Sequence, residues 1–359
     1  MIISATSVIK KLLILLLFFA VLYFGKAFLI PLCIGGVLAT LFLPFCKKLE
    51  SKKIPKGLAV TFCLLLFLAV VTAILLLLSW QIAALASDFS LLKAKVIGTI
   101  NQLQQYLFNN LGISTEKQMQ IINEEQPGIA QILQLIAGSL KAIFTNFILV
   151  MAYIFLLLYY RIHLLHFFLK LVPTNQQNEM NEMLHSIANV SQQYLLGLSK
   201  MIICLWIMYG IGFSILGVKN ALFFSILCGL LEIVPFIGNL TGTTLTLVVS
   251  AINGGSLSML AGIAITYGIV QFIQGWVLEP LILGPQVKIN PFTTIIALVT
   301  GDLIWGIPGI FLAIPLIAMV KIIFDHIESL QPYGFLIGAI RDNKEKRGLF
   351  KTLKVWMKQ

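Results

Sequence analysis

The stretch Gly229-Leu-Leu-Glu232-Ile-Val-Pro235-Phe-Ile-Gly238-Asn239-Leu240 sets a carboxylate, a proline and a glycine inside an apolar run. Two further stretches repeat the combination: Glu279-Pro280-Leu-Ile-Leu-Gly284-Pro285 and Asp302-Leu-Ile-Trp305-Gly306-Ile-Pro308-Gly309. Proline removes an intrahelical hydrogen bond and glycine lets the chain unwind, so each site frees backbone N–H and C=O groups. In hydrocarbon such groups are tolerated only inside protein or against a water-filled cavity. The region from Gly229 to Pro315 holds six of the twelve prolines and twelve of the 27 glycines. An ionised side chain at the bilayer centre costs about 3 kcal/mol on insertion scales, so Glu232, Glu279 and Asp302 are expected to serve transport or ion coupling. Pro235, Gly238, Pro280, Gly284, Gly306 and Pro308 are the expected helix breaks or hinges.

Outward from that region the whole chain is apolar: 59% hydrophobic, 11% charged, mean hydropathy +0.97 over 359 residues. One water-soluble core cannot hold so much apolar surface. Apolar runs of bilayer-crossing length recur near residues 12 to 24, 27 to 45, 58 to 80, 141 to 160, 201 to 217, 220 to 250, 257 to 279 and 292 to 323. The expected fold is therefore an all-α polytopic membrane protein of about eight transmembrane helices, several broken by Pro and Gly in the C-terminal half.

Lysine and arginine collect beside these runs. Lys10 and Lys11 precede the first, Lys47, Lys48, Lys52, Lys53 and Lys56 follow the second, and Arg161 and Lys170 follow the fourth. The tail from Arg341 to Lys358 carries seven basic residues. Basic residues in short loops stay inside, so both termini are expected on the cytoplasmic side. The net charge of +11 is then a topology signal, and nucleic acid is not needed as a partner. Membrane lipid is, and the basic tail suits anionic headgroups.

The chain divides into five parts. Residues 1–80 form a three-span region, and 81–140 form amphipathic extracytoplasmic helices with Val96, Ile100, Leu103 and Leu107 at helical spacing. Residues 141–200 hold a fourth span and a cytoplasmic amphipathic helix beginning near Pro173. Residues 201–325 form the transport region and 326–359 a basic cytoplasmic tail. The first apolar run has no small-x-small cleavage site behind it and reads as an anchor.

Within 257–279, steps of four from Tyr267 give Gln271, Gly275 and Glu279, with Gln274 beside them: a polar ridge with a small residue for close approach. Tyr267, Gln271, Gln274, Asn239 and Thr241 are the expected pathway residues; Thr243, Thr244 and Thr246 are further wall candidates, although threonine also bonds its own helix backbone. The five cysteines lack CxxC spacing and read as packing residues, and His163 and His166 lack a third ligand. No catalytic residue, metal site or cofactor is expected; no nucleophile motif or phosphate loop is present.

At Tyr194-Leu-Leu-Gly197, Glu232-Ile-Val-Pro235-Phe-Ile-Gly238, Gln271/Gln274, Leu278-Glu-Pro-Leu-Ile-Leu-Gly284, Asn290-Pro291, Gly301 to Gly306 and Ala313-Ile-Pro315-Leu the chain resembles the autoinducer-2 exporter family of bacterial permeases. It departs from the family pattern at Leu198, Leu281 and Pro308. The resemblance implies an eight-span, homo-oligomeric inner-membrane permease whose C-terminal half moves, and whose relatives are associated with export of a signalling furanone or with sodium/proton exchange. The expected function is transport of a small polar solute or ion, with H⁺ or Na⁺ as coupling ion. Two alternatives stand beside it: a Na⁺/H⁺ antiporter of the same fold, and a non-transporting membrane scaffold.

Overall fold

A computed structural model describes residues 5–87, 129–234, 237–283 and 288–339. Most of the expected extracytoplasmic segment, the tail beyond Ala339, and Pro235, Gly284 and Pro285 lie outside the described residues. Among the described residues the chain is helical with no strand.

Among the described residues twelve α-helices follow one another: α1 Ala5–Phe24, α2 Lys26–Ser51, α3 Lys56–Ser87, α4 Ile129–Tyr159, α5 Arg161–Lys170, α6 Gln177–Ile215, α7 Ala221–Leu231, α8 Ile237–Ile252, α9 Leu257–Ile273, α10 Pro291–Trp305, α11 Ile307–His326 and α12 Gln331–Ile337. Of these described helices five are long and apolar enough to cross a membrane, six if α4 and α5, bent by 66° at Tyr160, count as one broken span. Shorter apolar helices, α1, α7, α8 and α10, stand beside them.

Three expectations are corrected. The run near 220 to 250 is two helices, α7 and α8, that fold back on each other: a Cβ on Gly242 would meet the Cys228 Cα at 3.0 Å, and one on Gly238 would meet the Leu231 carbonyl oxygen at 1.8 Å. The run near 292 to 323 is likewise a hairpin of α10 and α11, where Gly301 and Gly309 pack backbone to backbone. At 11 and 15 residues, α7 and α10 are too short to traverse the roughly 30 Å of hydrocarbon at 1.5 Å per residue. Thirdly, the amphipathic segment from Pro173 and the span from 201 are one helix, α6, of 39 residues.

α6 is the spine. Tyr194, Leu198, Met201, Leu205, Tyr209 and Phe213 recur at steps of three and four, making one buried stripe. Phe223, Phe224 and Cys228 of α7, Ile263 and Val270 of α9 and Leu312 of α11 pack around it, with Val37 of α2 closing the cluster. The opposite side of α2 presents Ala39 and Cys46 to a second core built from Val60 and Cys63 of α3 and Val150, Ile154 and Leu158 of α4. α2 is thus the wall shared by the two halves. A Cβ on Gly35 would lie 2.8 Å from the Tyr153 Cβ, which shows how closely α2 and α4 approach. The two halves are also tied by the Trp305 indole, which donates to the Leu22 carbonyl at 2.9 Å.

Elsewhere the surface is apolar in the way lipid requires: Leu65, Phe62, Ile207, Ile211, Phe272 and Leu303 are all exposed. The polar termini are capped locally. Asn290 accepts from the Thr293 N–H at 2.8 Å, Pro291 occupies the first turn of α10, and the Asn290 amide donates to the Leu336 carbonyl at 2.6 Å. One asparagine therefore starts α10 and fastens α12 beside it.

Candidate functional site

The α7–α8 hairpin turns at Glu232. α7 ends at Leu231, its last carbonyls pairing with the N–H groups of Glu232, Ile233 and Val234 in the turn. α8 starts with Gly238 and Asn239 already buried against α7. No residue but glycine fits at 238, because any Cβ there would overlap the Leu231 carbonyl. The hairpin can close only by that contact, and closure carries Glu232 inside: its side chain belongs to a residue only 4% exposed.

Gln274 meets it there. The Gln274 amide N–H donates to Glu232 Oε1, and the Asn239 amide donates to Gln274 Oε1 at 2.9 Å. All three residues are buried. Glu279 is half-buried, and its carboxylate lies close enough to interact with Gln274 and with Glu232. Two elements separated by 42 residues at Glu232 and Gln274 are joined through one polar chain.

The segment carrying Gln274 and Glu279 is not broken as expected. From Gln274 to Leu283 the chain continues α9 as a π-helix with Pro280 inside it. The wider turn takes up a ring that would collide with the preceding turn of an α-helix, and proline's missing N–H leaves one bond fewer to form. Pro280 itself points outward and is exposed. The buried face of α9 also divides the expected ridge. Gln274, one turn beyond the buried Val270, is the buried residue, while Tyr267 and Gln271 are half-buried and bond to each other, the Gln271 amide donating to the Tyr267 hydroxyl at 3.2 Å. Gly275 was expected to permit close approach, but a Cβ there would meet nothing within 4 Å.

Asp302 stands apart. It is exposed one turn before Gly306, whose φ of 64° makes the α10–α11 turn, and its carbonyl accepts the Gly306 N–H at 2.7 Å. Pro308 adds no break, since it occupies the first turn of α11. Thr241 is exposed on α8. Thr246, buried, donates to the Gly242 carbonyl of its own helix at 2.8 Å.

Two residues join the site that the pattern of acids and breaks does not mark. Tyr194 and Tyr209 of α6 are buried, and both lie near enough to Glu232 to feel its charge. Their only sequence signal is their place on the buried stripe. The Tyr209 hydroxyl comes beside Thr243 of α8 without closing a hydrogen bond in the structure. The result is a buried cluster of hydroxyl, amide and carboxylate groups between α6, the hairpin turn and the π-helix. Such a set can hold a proton, a small cation or a hydrogen-bonding solute. A cleft of about 200 Å³ lined by Gln193, Leu196, Gly197, Lys200, Leu281 and Ile282 lies between α6 and the end of the π-helix.

A family model described as AI-2E family transporter matches residues 12–329. "Putative transport protein YueF" of Bacillus subtilis is 27% identical over 325 residues, 84% of each chain. "Putative transport protein YhhT" of Escherichia coli is 22% identical over 349 residues, covering 96% of this chain and 98% of the relative. "Putative transport protein MT0215" of Mycobacterium tuberculosis is 24% identical over 307 residues, covering 82% and 81%.

Proposed function

The chain belongs to the AI-2E family of transporters, and on that premise we propose that it is a permease which carries a small polar solute or ion across the bacterial inner membrane, with both termini cytoplasmic and the protein assembled as a homo-oligomer. The translocation site is the buried cluster around Glu232, Gln274 and Asn239, with Glu279, Tyr267 and Gln271 on the approach to it. H⁺ or Na⁺ bound at Glu232 couples to the movement of the solute.

The observation that carries this reading is the buried chain Asn239–Gln274–Glu232. A carboxylate in an apolar interior is retained at a cost, and the site that holds it lies on a hairpin turn and a π-helix, two features that leave backbone groups and partial charges available to a passing ion. Packing alone does not call for it, since apolar residues of similar volume fill a core more stably than a buried charge. Asp302, exposed at the far turn, is left outside the site.

Purified protein in proteoliposomes tests the proposal. Solute flux is expected to respond to an imposed pH or Na⁺ gradient and to fall at least tenfold in Glu232→Gln with the protein still folded. Flux that is equal in wild type and Glu232→Gln refutes it.

A further inference from the structure

The turn between α2 and α3 gathers positive charge and leaves it unmatched. Lys47 and Lys48 stand near the end of α2, Lys52 and Lys53 in the turn, and Lys56 at the start of α3. From Lys26 to Ser87 the sequence holds one acid, Glu50, and that carboxylate is taken by Arg161 of α5. Among the described residues none of the five lysines has a carboxylate partner. Lys53 has a φ of 64°, the left-handed conformation that closes a helix end and that glycine fills most easily, so the turn carries a charge where a neutral residue is the ordinary choice.

The same turn forms the mouth of an apolar groove of about 340 Å³, lined by Leu49, Ile54, Leu58, Thr61, Phe62 and Leu65. The Ile54 N–H donates to the Leu49 carbonyl at 3.4 Å and closes the turn, with Lys52 and Lys53 between these two lining residues. Leu58, Phe62 and Leu65 recur at helical spacing and are exposed, so the groove runs about 10 Å along α3 from the turn. Thr61 donates to the Gly57 carbonyl at 2.9 Å and offers the groove no free donor. Lys56 Nζ stands over the Tyr159 ring at 5.5 Å, and Tyr159 meets Tyr160 edge to face. Tyrosines collect at the boundary between membrane and water, which sets the lysines at headgroup depth and the groove at acyl-chain depth.

We propose that the groove and its lysines bind an anionic phospholipid, with the phosphate headgroup held by Lys52, Lys53 and Lys56 and one acyl chain laid along α3. A zwitterionic lipid fills the groove as well but brings no net charge to the lysines, whereas each basic residue near the surface favours an anionic headgroup. A second copy of the chain meeting the groove isologously would set one lysine turn against another. The site lies on the α2–α3 side of the molecule, outside the Glu232 cluster, and stands whatever the chain transports.

The test uses the full chain, stripped of lipid in detergent and titrated with phosphatidylglycerol or with phosphatidylcholine of the same acyl chains, with bound lipid counted by native mass spectrometry. Phosphatidylglycerol is expected to bind about tenfold more tightly or better, and added salt to narrow the gap. Lys52→Gln combined with Lys53→Gln should remove the preference. Lys10→Gln combined with Lys170→Gln, an equal loss of charge outside the groove, should keep it. Thr61→Trp, which fills the groove, should weaken both lipids. All five altered side chains are exposed, so the fold is retained, and the thermal midpoint checks this. Equal binding of the two lipids by wild type overturns the proposal, and so does an equal loss of preference in the two lysine variants, which would show general surface charge alone. Lipid binding unchanged in Thr61→Trp also overturns it, and dissociation of an oligomer by that variant in the absence of lipid would give the groove to a second copy of the chain instead.

Discussion

Gln274 sits between Glu232 and Asn239 and serves both, donating to the carboxylate and accepting from the amide. A π-helix and a hairpin turn, each too irregular to be rigid alone, are thereby fastened through one side chain. The fastening is polar, so it can be broken and remade without cutting the backbone fold.

Gln274→Leu removes both bonds at once and leaves Glu232 and Asn239 without partners. At about 1–3 kcal/mol for each orphaned group, the thermal midpoint should fall by several degrees. Gln274→Glu places a second carboxylate against the first and should be worse. Differential scanning fluorimetry in detergent compares the two, and a Leu variant as stable as wild type contradicts the bonding scheme.

Gly238→Ala puts a Cβ 1.8 Å from the Leu231 carbonyl oxygen, both atoms being fixed by backbone. The hairpin should open or the protein fail to accumulate. Gly275→Ala and Gly268→Ala meet nothing within 4 Å and sit in helix, where alanine is favoured over glycine by about 0.5–1 kcal/mol. These two should express and unfold as wild type or slightly later. The contrast separates a steric requirement from mere abundance of glycine.

Gly309→Ala brings a Cβ 1.9 Å from the Gly301 carbonyl oxygen. It should separate α10 from α11, and cysteines introduced on facing positions of the two helices should lose their crosslinking efficiency. Unchanged crosslinking means that the hairpin does not depend on this contact.

Arg161, at the start of α5, pairs with Glu50 near the end of α2, and both are mostly buried, with Arg161 Nη1 and Glu50 Oε1 lacking further partners. Removing one partner leaves the other charge uncompensated, so Arg161→Ala should cost about 3 kcal/mol and Arg161→Ala with Glu50→Ala distinctly less. A double-mutant cycle on thermal unfolding measures the difference; additive costs would show that the pair does not couple α2 to α5.

Asp302→Asn removes a charge from an exposed turn. Flux and thermal midpoint should both stay within error of wild type, where Glu232→Gln loses flux. Equal losses in the two variants would return Asp302 to the site.

Composition and the spacing of apolar runs determined the class of this protein without help from tertiary structure, because hydrocarbon demands long apolar helices whatever they pack against. The acids at 232 and 279, the glutamine at 274 and the glycine at 238 were likewise legible, since a polar group or a backbone turn in an apolar run has few innocent explanations. Tertiary structure alone decided that the runs containing Glu232 and Asp302 are hairpins, because a proline and a glycine are compatible with either a kink or a reversal and only the closeness of Gly238 to Leu231 and of Gly301 to Gly309 distinguishes them. It decided that the chain winds as a π-helix through Pro280, a change of pitch that no fixed spacing foretells, and that Gln274, on the face of Val270, is the buried glutamine. It also parted Asp302 from the other two acids, since one sequence pattern can end at a buried turn or an exposed one, and the packing of α6 against the hairpin is what buried the first of these.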